Sequence, residues 1–312
     1  MTRRVTVLMG GRSAEREVSL VSGRQCADAL RAAGYRVSEL HLDADPAPLV
    51  AALSGPDRPE VVFNALHGRY GEDGRVQGLL DLFGVPYTHS GVLASALAMD
   101  KAMARRLFAS AGLPIAEGVV ADRETVLAGR AMDRPYVVKP VSEGSSVKVH
   151  IVHENEALPF GADDWPYGDE EVLVERFIPG RELTVAVMSG NGAGTRALAV
   201  TEIRAQNGFY DYAAKYVEGC SHHIVPAPID AGAYREALDC AVAAHDLLGC
   251  RGVSRADFRY DDLTGEPGRL VLLEVNTQPG MTPLSLVPEQ AAYCGLSFGA
   301  LVTWLVEHAR CD

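Results

Sequence analysis

A short β-forming run, Val5-Thr-Val-Leu-Met9, breaks at Gly10-Gly11 and gives way to a helical stretch over residues 18–33 that stops at Gly34. A second strand follows at 36–40. This strand–helix–strand order constrains the fold more than any other feature, because it predicts an open, parallel α/β sheet. A third run, Val61-Val-Phe-Asn-Ala-Leu66, ends at His67-Gly68. Arg75–Phe83 reads as a helix closed by Gly84, and Val85-Pro-Tyr87 as a brief strand. Ligands of such sheets sit beyond the carboxyl ends of the strands, where Gly10-Gly11 and His67-Gly68 lie.

The middle of the chain differs. A helix over 100–111 ends at Gly112, with Pro114 two residues on. Strands are expected at 135–140, 147–152, 171–175 and 182–188, joined by Gly/Pro turns, which suggests an antiparallel sheet. The last third adds strands near 197–203, 252–260 and 269–275 and helices near 231–248 and 298–309. No internal repeat or low-complexity segment appears. The fold class is therefore α/β, with α+β character in the central and C-terminal parts. Divisions are expected near residues 95 and 188, each to within about ten residues.

With 29 Lys and Arg against 41 Asp and Glu, the formal net charge is −12. That balance excludes a surface built to neutralise nucleic-acid phosphates. Any anionic substrate must be met by a local cluster of cations. The six cysteines form no CxxC pair and no zinc-finger spacing. No run approaches a signal peptide or a membrane span. The expectation is a reduced, soluble, cytoplasmic chain whose thiols are buried as small hydrophobes.

Three oxygen-bearing side chains stand out in the last third. Asp257 lies on the strand near 252–260, and Glu274 and Asn276 alternate on the next, so the latter two share a face. If the strands pair, the three converge, and an all-oxygen set suits Mg²⁺ or Mn²⁺. The plainer alternative is a solvated acidic face. Glu274 follows Leu270-Val-Leu-Leu273, which argues for partial burial and hence for a partner. The loop Val141-Ser-Glu-Gly-Ser-Ser146 after Lys139 has the small and hydroxyl residues that cradle phosphate, although it lacks the Walker spacing and could be an ordinary turn.

The order of several longer stretches is more specific. These are Gly10-Gly-Arg-Ser-Ala-Glu-Arg-Glu-Val-Ser19, Ala65-Leu-His-Gly-Arg-Tyr-Gly-Glu-Asp-Gly74, Lys139-Pro-Val-Ser-Glu-Gly-Ser-Ser146, Tyr210-Asp-Tyr-Ala-Ala-Lys-Tyr216, Glu274-Val-Asn-Thr-Gln-Pro-Gly-Met-Thr282 and Ser285-Leu-Val287. Together they resemble the D-alanine–D-alanine ligases of the ATP-grasp superfamily, from Val5 to about Val306.

The resemblance implies three parts: an N-terminal Rossmann-like substrate domain (1–95), a central ATP-grasp subdomain (96–188) and a C-terminal catalytic domain (189–312). ATP would be clamped between the last two. It implies ATP contacts from Lys101, Lys139, Ser146, Glu175, Arg176, Ile178, Glu182 and Lys215. Two Mg²⁺ or Mn²⁺ ions would be held by Asp257, Glu274 and Asn276. Glu15 matches the anion for the first ammonium, with His67 nearby, and Ser145 and Tyr216 match its hydrogen-bonding partners. Arg255 and the Gly280 N–H match the oxyanion donors, and Ser285 and Leu286 the site of the second carboxylate. Residues 206–221 match a closing lid. The implied product is D-alanyl-D-alanine for peptidoglycan synthesis, cell wall biogenesis and cell shape. The implied assembly is a homodimer through the N-terminal part, without nucleic acid or membrane.

Two departures from the family stand out. Arg176 replaces a usual Lys, with little effect expected where backbone groups bind adenine. Lys148 replaces a usual Gly and is expected on a strand, exposed and dispensable. Among alternatives, a dinucleotide-binding oxidoreductase lacks its GxGxxG, a decayed binder conflicts with a full residue set, and a D-alanine–D-lactate ligase is the nearest rival.

Overall fold

The computed structural model describes residues 2–144, 147–190, 192, 194–205, 221–263, 265 and 267–312. Strand β1 (Arg4–Gly10) is buried along almost its whole length, as its unbroken apolar run requires. It lies between β2 (Arg36–Leu42) and β3 (Val61–Asn64), both parallel to it. Helix α1 (Arg16–Ala32) returns across one face. Gly23 lets it approach closely, since a Cβ there would lie 2.7 Å from Cβ of Met9. Helix α2 (Ala47–Ser54), which no sequence reading anticipated, covers the other face with α3 (Arg75–Leu82). The brief strand expected at 85–87 is reduced to isolated bridges at Tyr87, parallel to Val62 and antiparallel to Arg310. Pro86 interrupts the ladder there by offering no N–H.

Helices α4 (Val92–Met99) and α5 (Lys101–Ser110) lead into the central part. Its antiparallel sheet runs β4-β7-β5-β6, from β4 (Gly118–Ala121), β5 (Tyr136–Pro140), β6 (His150–Val152) and β7 (Val172–Arg176). The third sheet runs β10-β9-β8-β11-β12, also antiparallel: β8 (Arg181–Gly190), β9 (Gly194–Ala205), β10 (Ser221–Ile224), β11 (Gly252–Asp261) and β12 (Arg269–Asn276). Helix α7 (Ala231–Leu248) packs on it, after the short α6 (Arg123–Leu127) of the central part. The chain closes with α8 (Leu286–Tyr293) and α9 (Phe298–Glu307).

The cores show how the parts are tied. Val5 and Met9 of β1 share one cluster with Met188, Val253, Leu301 and Leu305, so the first sheet and the third are packed together. The central sheet has its own core of Tyr136, Val138, Phe160, Tyr167 and Val174. A small cluster of Ala116, Ile178 and Val271 links it to the third sheet.

Two expectations need correction. Lys148 does not lie on a strand: it sits in an exposed turn with φ +56, and the strand starts only at His150. Left-handed backbone is where glycine is unstrained, so the residue usual in relatives fits the turn better than the lysine. Helix α4 and strand β8 run across residues 95 and 188, and β8 pairs on both sides within the third sheet. Among the described cysteines, Cys26, Cys240 and Cys250 are buried as expected, but Cys294 is exposed.

Candidate active site

At the carboxyl ends of β1 and β3, Gly10 and Gly11 turn the chain with φ of +97 and +90. Glu15 stands immediately before α1 and is 8% exposed. Its N–H donates to Oγ of Ser13 at 3.2 Å, and that hydroxyl donates to the carbonyl of His67 at 2.8 Å. The two strand ends are thereby fastened together. His67 is buried, with Nδ1 3.2 Å from the carbonyl of Gln278. Burial lowers its pKa, against the pull of Glu15, so the ring is neutral at pH 7. Beside it Glu72, 6% exposed, accepts the Gly68 N–H at 2.7 Å.

Strands β11 and β12 pair so that Asp257 faces Glu274 and Arg255 faces Asn276. The three oxygen donors named from the sequence therefore lie on one patch. Asp257 accepts from Oγ1 of Thr184 at 2.6 Å and from Nε and Nη2 of Arg255 at 2.8 and 2.7 Å. Glu274, its side chain 28% exposed, pairs with Nζ of Lys101 at 3.3 Å. Lys101 also donates to the carbonyl of Glu143 at 2.5 Å, which joins the start of α5 to the loop before Ser145. Two carboxylates and an amide, balanced by two cations, fit a divalent ion: the donors are all hard oxygens, and the paired cations mark a place that attracts positive charge. Among the described residues no cluster of three His, Cys, Asp or Glu is placed to hold a metal; this set has two carboxylates and relies on Asn276.

The second and third sheets carry the residues expected to bind nucleotide. Glu175 of β7 is 3% exposed and pairs with both Lys139 and Arg105. Such a triad keeps a buried carboxylate tolerable. Arg176 points elsewhere, to the carbonyl of Asp133 at 2.9 Å and to Glu117 at 3.7 Å. The carbonyl of Ile178 accepts from Nε of Arg259 at 3.0 Å, and Glu182 lies 3.7 Å from the same guanidinium. At the far end Gly280 faces Ser285: a Cβ on the glycine would lie 3.2 Å from Oγ of the serine. Ser285 immediately precedes α8, whose first residue is the buried Leu286. An N-terminus of this kind favours an anion.

The structure thus links Glu15 and His67 through Ser13, sets Arg255, Asp257, Glu274 and Asn276 on one patch with Lys101 against Glu274, and places Gly280 against Ser285, just before Leu286. Ser145, Ser146, Lys215 and Tyr216 lie outside the described residues, as does nearly all of the expected lid at 206–221. Sequence reasoning missed Gln278, which is 1% exposed, takes a bond from Nδ2 of Asn64 at 2.8 Å and donates to the carbonyl of Leu66. It missed Arg105 and Glu72 as well. Gln278 and Glu72 sit within quoted motifs and Arg105 on the helix expected over 100–111, but an isolated polar residue gives no sign of burial.

Two family models match this chain: "D-ala D-ala ligase N-terminus" over residues 44–90 and "D-ala D-ala ligase C-terminus" over residues 107–307. A D-alanine–D-alanine ligase of Paramagnetospirillum magneticum is 62% identical over 313 residues, covering 100% of each chain. That of Rhodospirillum rubrum is 59% identical with the same coverage. Among solved structures, a D-alanine–D-alanine ligase from Bacillus anthracis complexed with ATP superposes with a TM-score of 0.78 at 28% identity, over 99% of this chain and 97% of that one. The VanG D-Ala:D-Ser ligase from Enterococcus faecalis gives 0.80 at 29% identity, over 98% and 99%.

Proposed function

Because this chain belongs to the D-alanine–D-alanine ligase family, we propose a division of labour among its residues. The protein has the ATP-grasp fold and joins two D-alanines, with ATP as the second substrate, into D-alanyl-D-alanine for peptidoglycan synthesis. A carboxylate is a poor acyl donor, so the first D-alanine is activated as an acyl phosphate before the second attacks it.

Glu15 holds the ammonium of the first D-alanine, whose carboxylate then faces the γ-phosphate. Lys101 and Lys139 neutralise phosphate oxygens, and Lys101 is already fixed by Glu274 and the Glu143 carbonyl. Asp257, Glu274 and Asn276 would hold Mg²⁺ or Mn²⁺, which supplies the charge neutralisation that lets one anion attack another. The carboxylate of the second D-alanine docks at Ser285 and the N–H of Leu286, and its amine attacks unprotonated. Arg255 and the N–H of Gly280 stabilise the oxyanion that forms. Glu175, Ile178, Glu182 and the backbone of Arg176 line the nucleotide side, with Ser146 and Lys215 on its phosphates. Ser145 and Tyr216 close the site over Glu15 beneath the lid at 206–221.

The observation that carries this reading is the register of β11 and β12. It sets Arg255, Asp257, Glu274 and Asn276 on one patch with Lys101 across from it. The test is ADP release with ATP and Mg²⁺. Release should require D-alanine and cease without it; release indifferent to D-alanine would overturn the reading. We also propose three working parts divided near 95 and 188, a homodimer through the N-terminal part and a cytoplasmic location. No helix of the described residues is long and apolar enough to cross a membrane.

A further inference from the structure

The loop after β3 buries a second carboxylate beside Glu15. Glu72 and Glu15 are 6% and 8% exposed. Oε1 of Glu72 accepts the Gly68 N–H at 2.7 Å, whereas its Oε2 is buried without a hydrogen-bond partner among the described residues. Both carboxylates converge on Gly144: a Cβ there would lie 2.9 Å from Oε2 of Glu15 and 3.4 Å from Oε1 of Glu72. A buried, unpartnered carboxylate oxygen is costly. If Glu72 only braced Gly68, one oxygen would serve and the other would have no reason to be buried as an acceptor.

We propose that Glu72 is the second carboxylate of the ammonium site: with Glu15 it holds the ammonium of the first D-alanine, and it carries a proton until that ammonium arrives. The inference rests on the assignment of Glu15 above. An ammonium has three donors, more than one carboxylate oxygen satisfies. In the empty pocket, burial first and Glu15 second push the Glu72 carboxyl up, while the Gly68 N–H, Arg255 and Lys101 oppose the rise. The groups facing it are Glu15 at the start of α1, His67 on its own loop, Arg255 on β11 and Lys101 on α5. His67 is neutral and adds no cation. When the ammonium docks, the Glu72 O–H bond breaks, its proton leaves to solvent and the electron pair stays on the carboxylate. One cation enters and one proton departs. A hydroxy acid brings no such charge, so the pair also selects an amino acid at this position.

Glu72→Gln tests this, because glutamine keeps an oxygen for the Gly68 N–H and loses only the charge. D-alanine is titrated calorimetrically at pH 7 into chain saturated with Mg²⁺ and a non-hydrolysable ATP analogue, in two buffers of different ionisation enthalpy. Glu72→Gln should release fewer protons than wild type, by up to one per site, and bind about tenfold or more weakly. In turnover, KM for D-alanine should rise more than kcat falls. Glu72→Asp keeps an ionisable group and should retain the proton release. The empty Glu72→Gln chain should also melt higher than wild type above neutral pH. A carboxyl with a raised folded pKa loses stability as pH climbs past its ordinary range, and the variant has none to lose. An unchanged proton count in Glu72→Gln, or release abolished equally in Glu72→Asp, overturns the proposal. If Glu15→Gln binds D-alanine as tightly as wild type, the parent assignment fails instead.

Discussion

In the proposed site, Glu274 is the residue on which the metal and phosphate chemistry would converge. It faces Asp257 across the ladder and holds Lys101 at 3.3 Å. Glu274→Gln keeps the shape and removes the charge. Turnover at limiting Mg²⁺ should fall at least about a hundredfold, with melting within a few degrees of wild type. Near-normal turnover would refute the metal assignment. Lys148 is the opposite case: it is exposed, in a left-handed turn, and expected to be dispensable. Lys148→Gly should leave the KM for ATP within about tenfold and stabilise the chain by about 1 kcal/mol, read from denaturant unfolding. A larger loss of ATP affinity would show a phosphate contact. Strand alternation alone placed Glu274 and Asn276 on one face, because a period of two is fixed by the backbone. It could not place Glu72, whose burial depends on a loop folding back against Glu15. Nor could it foresee φ at 148, since nothing in a lysine announces a left-handed turn.

At the scale of elements, two buried side chains set how helices and strands meet. His245 on α7 lies 2.7 Å from Oγ of Ser189 on β8 and 2.7 Å from Oγ of Ser254 on β11. Burial lowers its pKa to about 4. The folded state favours the neutral ring, so this contribution is complete above the ordinary histidine range and is lost as pH falls toward 4. At pH 5 the cost is about 2 kcal/mol. Melting temperature should fall between pH 7 and 5, and less steeply in His245→Gln; parallel slopes would contradict the assignment. Gln278 joins the strand end at Asn276 to Asn64 and Leu66 of the first sheet. Gln278→Ala leaves buried groups unpaired and should cost about 1–3 kcal/mol, with a raised KM for D-alanine as the loop that carries His67 loses the side-chain tie at the Leu66 carbonyl. Most strands and long helices were legible from their periodicity. The helix at Ala47–Ser54 was not, because its apolar residues are too few to set a period.

Across the whole molecule, the first and third sheets share a core, while the central sheet keeps its own and touches the third through Ala116, Ile178 and Val271. Two bodies joined by a small apolar link suit a clamp on ATP. The strands themselves were legible in the sequence, but their grouping into sheets was not, because a strand's own pattern does not say which sheet it joins; β8 shows this by pairing with both β9 and β11. The central claim is that one site activates a D-alanine carboxylate as an acyl phosphate and passes it to a second D-alanine. D-alanine labelled with ¹⁸O in both carboxyl oxygens, incubated with ATP, Mg²⁺ and an equal amount of D-lactate, tests it in one mass-spectrometric measurement of products. The predicted result is D-alanyl-D-alanine as the main product and one ¹⁸O in each inorganic phosphate released, since the attacking carboxylate oxygen leaves with phosphorus. Unlabelled phosphate, or a depsipeptide as the main product, would contradict the account.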